Sequence, residues 1–139
     1  MTQTPSGDAR MVQMTPYECW QQLDGDNQIA RVVWAGQDGP AIIPVNYAVS
    51  DGALWFQISH DSELGRGGTG QRVLVEVDHA DPASHAGWSV VITGTAAFID
   101  AVEAPDILRD LRVWPSGPRS VCVRVDPDEV SGRRLMPRR

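Results

Sequence analysis

Residues Pro40 to Leu64, PAIIPVNYAVSDGALWFQISHDSEL, combine a flat apolar wall with a corner that favours anions. Ile42, Pro44, Asn46 and Ala48 point to one side of an extended segment, and Ile43, Val45, Tyr47 and Val49 to the other. Ser50-Asp51-Gly52 supplies the Asp-Gly signal that sets a hairpin and its register. On the return strand Leu54, Phe56 and Ile58 share one face, with Trp55 and Gln57 on the opposite one. Asp61 or Ser62 then caps a helical turn beginning near Glu63. The first backbone N–H groups of a helix lack internal partners and attract negative charge. A strand pair ending at such a corner fits a flat ring that carries a phosphate.

Other chemistries find less support. There is no GxSxG, and neither cysteine has a nearby His signature, so a nucleophilic triad is not indicated. His60, His79 and His85 all fall in expected loops and read as surface histidines, so no metal site is expected. Glu76 with Asp78, and Asp128 with Glu129, are carboxylate pairs of the kind any acidic chain contains, and no glycosidase pattern accompanies them. All 12 basic residues are Arg. With no Lys to form a Schiff base, pyridoxal phosphate chemistry is excluded. Gly65-Arg66-Gly67-Gly68-Thr69-Gly70 lacks the Gly-Lys-Ser/Thr ending of a nucleotide-hydrolase loop and reads as a flexible connector. Of the 5 tryptophans, Trp20, Trp34 and Trp114 read as core or interface. Trp55 and Trp88, each starting or flanking a strand beside a polar loop, are placed to meet a planar ligand or a partner chain.

The elements that must position these residues follow from patterning. Residues 1–14 lack periodicity and are expected to be a disordered lead-in; residues 15–136 are expected to form one folded unit. Thr15-Pro16-Tyr17-Glu18 is a capping box with Pro at the first helical position. Its helix carries Cys19, Trp20 and Leu23 and ends in Asp24-Gly25-Asp26-Asn27. Strands are expected at Ile29 to Ala35, through the hairpin above, at Arg72 to Asp78, at Trp88 to Ile99 and at Ser120 to Val125. Gly94, in the middle of its strand, marks a bulge or a close backbone approach. Ala104-Pro105-Asp106 is expected to open a second helix bearing Ile107, Leu108 and Leu111, broken by Trp114 to Pro118. Asp126-Pro127-Asp128-Glu129 is expected to turn. About six strands joined mainly by hairpins pair antiparallel and close on themselves. The fold class is therefore mainly β (α+β), a small antiparallel barrel with two or three short helices.

At 139 residues the chain suits one domain with a real core. No apolar run is long enough to span a membrane, and no secretory signal pattern opens the chain. A cytoplasmic protein is the default expectation. Cys19 and Cys122 sit among apolar neighbours and are expected to be buried thiols rather than a disulfide. The net charge of −6 disfavours nucleic acid as a partner. The basic end, with Arg133, Arg134, Arg138 and Arg139, reads as a frayed tail over its last three residues.

Taken in order, the starting helix, ARVVW, IIPVNYAVSDGALWFQIS, SEL, VLVEVDHAD, GWSVVITGTAAFI and VRVDPDEVSGRRL resemble the pyridoxamine 5′-phosphate oxidase-like family of FMN-binding split β-barrels. The resemblance covers about Thr15 to Leu135. It implies a homodimer with two cofactor sites at its interface, FMN or a deazaflavin as cofactor, and oxidoreductase activity on a small molecule. By the same resemblance Pro44, Val45 and Asn46 lie along the flavin ring. Gln57, Ile58 and Ser59 end the next strand near the phosphate. Ser62 and Glu63 begin the phosphate-side helix, and Trp88 approaches at the dimer seam. The flavin would carry the redox chemistry, so no catalytic acid or base is required of the protein.

Two residues depart from the family pattern. Ile58 stands where many relatives carry Thr, and Glu63 where many carry Lys or Arg. A carboxylate beside a phosphate repels it, and losing a charge-assisted contact costs roughly 1.5–3 kcal/mol. Either the phosphate is held differently, or this is a non-catalytic dimeric barrel that has lost tight FMN binding or takes another ligand.

Overall fold

The computed structural model describes residues 9–25, 29–111 and 120–137. Trp114, the expected break at Trp114 to Pro118, and Arg138 and Arg139 lie outside them. Seven strands and two α-helices follow one another among the described residues: β1 (Ala9–Met14), α1 (Pro16–Leu23), β2 (Ile29–Gly36), β3 (Gly39–Ser50), β4 (Ala53–Ser59), α2 (Glu63–Gly67), β5 (Gln71–Asp81), β6 (Ala86–Ile99) and β7 (Ser120–Pro137). The sheet order is β1-β7-β4-β3-β2-β5-β6, and a further β6–β7 pairing closes it into a barrel. Every pairing is antiparallel. No helix among the described residues is long and apolar enough to cross a membrane.

The alternation read from the sequence builds the core. Val32 and Trp34 of β2, Val45 and Tyr47 of β3, Leu54, Phe56 and Ile58 of β4, Val73, Val75 and Val77 of β5, Val90 and Ile92 of β6, and Val123 and Val125 of β7 are all buried in one cluster. Asp51 and Gly52 adopt φ of 51° and 73°, the left-handed pair that a two-residue hairpin turn demands, and Ser50 pairs with Ala53 across it. α1 carries the expected capping box: the Glu18 N–H donates to Thr15 Oγ1 at 3.2 Å and the Thr15 N–H to Glu18 Oε1 at 2.8 Å. It buries Cys19 and Leu23, and the buried Tyr47 hydroxyl donates to the Leu23 carbonyl at 2.9 Å. Cys19 and Cys122 are both free, buried thiols, and burial pushes the Cys19 thiol up.

Several expectations are corrected. Residues 9–14 are not a disordered lead-in; they form β1, paired with β7 from Ala9↔Pro137 to Met14↔Gly132. Their order comes from backbone pairing with a strand far away in sequence, so no apolar period announces it. The expected turn at Asp126 to Glu129 is part of the unbroken β7, where the register with β6 slips between Thr93↔Glu129 and Gly94↔Pro127. That slip tolerates Pro127, which lacks an N–H for a ladder. The expected second helix is instead a pair of 3₁₀ turns, Ala101–Glu103 and Asp106–Asp110. Neither has a side-chain cap, and Leu108 is buried while Ile107 is 47% exposed. Leu108 and its neighbours cover Ala53, Trp55 and Cys122 on the outside of the barrel.

Candidate functional site

The decisive local feature is where β3 and β4 part. Their pairing runs from Ser50↔Ala53 only to Tyr47↔Phe56. Beyond it, β3 pairs with β2 alone from Asn46 back to Gly39, while Gln57, Ile58 and Ser59 pair with β7. The wall therefore splits, and Pro44 sits on an open strand edge, where its missing N–H costs no ladder bond. Val45 and Ile58 are 3% exposed, their side chains in the core. Both therefore belong to the core, and neither offers its side chain to a ligand. Asn46 is half-buried and already engaged. Gln57 is half-buried, with Nε2 donating to Cys122 Sγ at 3.7 Å.

The chain turns from β4 into α2 through a tight set of bonds. Ser62, not Asp61, is the cap: its Oγ accepts from the Gly65 N–H at 3.1 Å and donates to the Ser59 carbonyl at 2.6 Å. Ser59 Oγ accepts from the Asp61 N–H at 3.2 Å. Gly65 is required here, since a Cβ would lie 2.3 Å from the Ser59 carbonyl oxygen. Arg66 donates to the Asp61 carbonyl. The glycine-rich run that follows is tied down: Gln71 Nε2 donates to the Leu64 and Gly68 carbonyls at 2.9 and 2.8 Å, and Thr69 Oγ1 accepts from the Phe98 N–H at 3.0 Å.

Glu63 has a structural partner that no sequence pattern announced. Its Oε2 accepts from the Gln37 N–H at 3.1 Å, joining α2 to the β2–β3 turn. With Arg66, Trp34, Gly36 and Gln71 it lines a cavity of about 290 Å³. A carboxylate and a guanidinium thus border one hollow beside the split.

Trp88 stands apart. It faces His79 of β5 and Arg134 of β7 in register, and β2 and β5 separate its strand from β3. Two hollows of about 260 and 230 Å³ flank it. A single chain therefore gathers Pro44–Asn46, Gln57–Ser59, Ser62 and Glu63 around the split and leaves Trp88 elsewhere. Trp55, offered by the sequence as a ligand or partner contact, is 6% exposed beneath Leu108, with the Arg124 guanidinium 5.9 Å from its ring centre.

Two further features bear on chemistry. Arg31 Nη1 holds Glu76 Oε1 at 2.9 Å and Asp78 Oδ2 at 3.1 Å on the outside of the sheet. Burial, then the hydrogen bond and charge of Asp78, push the Glu76 carboxyl up to about 7 against the opposing pull of Arg31. His60 and His85 lie in turns as expected, His79 within β5, and no group of metal-ligating side chains assembles among the described residues.

A family model described as pyridoxamine 5′-phosphate oxidase matches residues 15–134. The chain belongs to this family. The uncharacterized protein Rv0080 of Mycobacterium tuberculosis is 31% identical over an alignment of 112 residues that covers 76% of this chain and 74% of that protein. Solved structures show the same fold. An FAD-binding protein of Mesorhizobium loti superposes with a TM-score of 0.73 at 24% identity, covering 91% of this chain and 98% of its own. An FAD-binding protein of Mycobacterium smegmatis gives 0.70 at 24% identity, covering 90% and 98%. These likenesses show a small, mainly β split-barrel fold.

Proposed function

We propose that this chain binds a flavin nucleotide at the seam of a homodimer and acts as an oxidoreductase on a small molecule. The observation that carries the reading is the parting of β3 from β4 beyond Tyr47↔Phe56. It leaves Pro44–Asn46 of β3 without β4 as a neighbour, opposite the end of β4 and the start of α2. The main chain of Pro44, Val45 and Asn46 would lie along the ring. The Gln57–Ser59 strand end and the turn at Ser62 would take the phosphate side. Trp88 of a second copy would complete the site, since one chain does not bring it to the split. A bound flavin supplies hydride transfer; the protein binds, orients and excludes water. Family membership and the FAD-binding names of two similar structures support a flavin. FMN is the form that the family resemblance implies, with a deazaflavin as the alternative.

A second reading, a dimeric barrel without tight flavin binding, is favoured by one observation. Glu63 opens α2 with a carboxylate, and the Ser62 hydroxyl is already occupied by Ser59 and Gly65. The absorption spectrum of the purified protein, followed by titration with FMN, FAD and a deazaflavin, separates the two. Visible flavin absorption, or saturable quenching of the added flavin's fluorescence, supports the first. A colourless protein that quenches none of the three overturns it and leaves the second.

A further inference from the structure

A different part of the barrel carries an unassigned hollow. A cavity of about 440 Å³ opens between β1, β6 and β7, lined by Met11, Gln13, Ser89, Val91, Ser131, Gly132 and Arg133. Its size falls in the range of small-molecule sites. Register explains the shape: Gln13 pairs with Arg133, Arg133 with Ser89, and Ser131 with Val91. Two small serines lie between the longer Met11, Gln13 and Arg133, which leaves a dip.

The charge in this dip is unbalanced. Arg133 contacts Met11 Sδ at 3.8 Å, a weak acceptor, and has no carboxylate within ion-pair reach among the described residues. Arg72, Arg124 and Arg134 all have such partners. The carboxylates nearest in register are Asp78, opposite Ser89, and Glu76, opposite Val91, and Arg31 holds both, at 3.1 and 2.9 Å. In a chain of net charge −6, a guanidinium without a carboxylate partner, set among two hydroxyls and an amide, is the arrangement that recognises an anion.

We propose that this hollow binds a small organic anion, a carboxylate or a phosphate monoester. Arg133 takes the charge, Ser89, Ser131 and Gln13 supply hydrogen bonds, and Met11 and Val91 form the apolar wall. The site lies on β1, β6 and β7, away from the Pro44–Asn46 edge of its own chain, and its Met11, Ser89 and Arg133 also line the hollow beside Trp88.

Backbone amide shifts of the flavin-free ¹⁵N-labelled protein, titrated separately with inorganic phosphate and with benzoate, test the proposal. Saturable shifts at Ser89, Ser131 and Gly132 with at least one probe are expected. Phosphate alone points to a phosphate monoester, and benzoate alone to a carboxylate. Arg133→Gln weakens binding about ten-fold or more, Arg133→Lys by less, and Arg72→Gln leaves it unchanged. If Arg133→Gln fails to fold, Ser131→Ala provides the second reading and weakens binding in the same direction. No saturable shift with either probe, or equal affinity in the folded Arg133→Gln variant, overturns the proposal.

Discussion

Gly94 of β6 and Asp126 of β7 meet backbone to backbone: a Cβ on Gly94 would fall 2.2 Å from the Asp126 carbonyl oxygen. The contact sits at the register slip that lets β7 bend without breaking. Because the obstructing atom is main chain, it cannot swing aside. Gly94→Ala is expected to cost about 2–3 kcal/mol of stability, read by urea unfolding. A variant as stable as the parent would show that the two strands are free to part here.

The Tyr47 hydroxyl links the core strand β3 to the last turn of α1 through the Leu23 carbonyl. Tyr47→Phe keeps the ring and removes the donor, leaving a carbonyl without its partner in a buried setting. The expected loss is about 1–2 kcal/mol, again from urea unfolding, with the circular dichroism spectrum unchanged.

Glu76 makes stability fall as pH rises. Its carboxyl titrates at about 7 in the folded chain against a reference of 4.5. The cause is first its burial, then Asp78, with Arg31 opposing. Between those values the folded state holds more of the proton than the unfolded one, so ΔG of unfolding decreases with pH. The contribution is fully present below about 4.5 and lost as pH passes 7. Glu76→Gln should flatten the Tm-against-pH curve across this window and raise Tm at pH 8 relative to the parent. An identical pH profile in the variant would remove Glu76 as the source.

Glu63 serves the fold and opposes an anion at once, through its bond to the Gln37 N–H. If a flavin phosphate is held beside α2, Glu63→Lys should tighten FMN binding about ten-fold by removing repulsion and adding attraction. Losing the turn bond should lower Tm in the same variant. Unchanged FMN affinity, measured by fluorescence quenching, would place the phosphate away from this helix.

Much of this architecture is legible in the residues because the signals are local. The Asp-Gly turn dictates left-handed backbone at Asp51 and Gly52, the Thr15–Glu18 box needs only four residues, and alternating valines in β5 and β7 can bury only one face. Gly94 was readable as a bulge or a close backbone approach because glycine otherwise weakens a strand interior, and both are found there. The rest depends on partners remote in sequence. β1 is held by β7, and its own pattern, Met11-Val12-Gln13-Met14, does not alternate. Pro127 reads as a turn until a displaced register accommodates it. Glu63 gives no hint that its partner is a turn N–H at Gln37, since every residue but Pro carries that donor. Pro44–Asn46 and Gln57–Ser59 fall on the two strands that part, while Trp88 lies on β6, which β2 and β5 separate from β3.

β7 borders β6 along most of its length and divides its other edge between β4 and β1. A nascent chain that has emerged only as far as β6 therefore exposes three strand borders simultaneously, each a template for pairing with another molecule. Closure must gather contacts widely separated along the polypeptide, which makes it a slow event. During synthesis this opens an interval in which chaperone capture competes with self-association, so lesions in β7 should surface first as poor recovery of protein from cells.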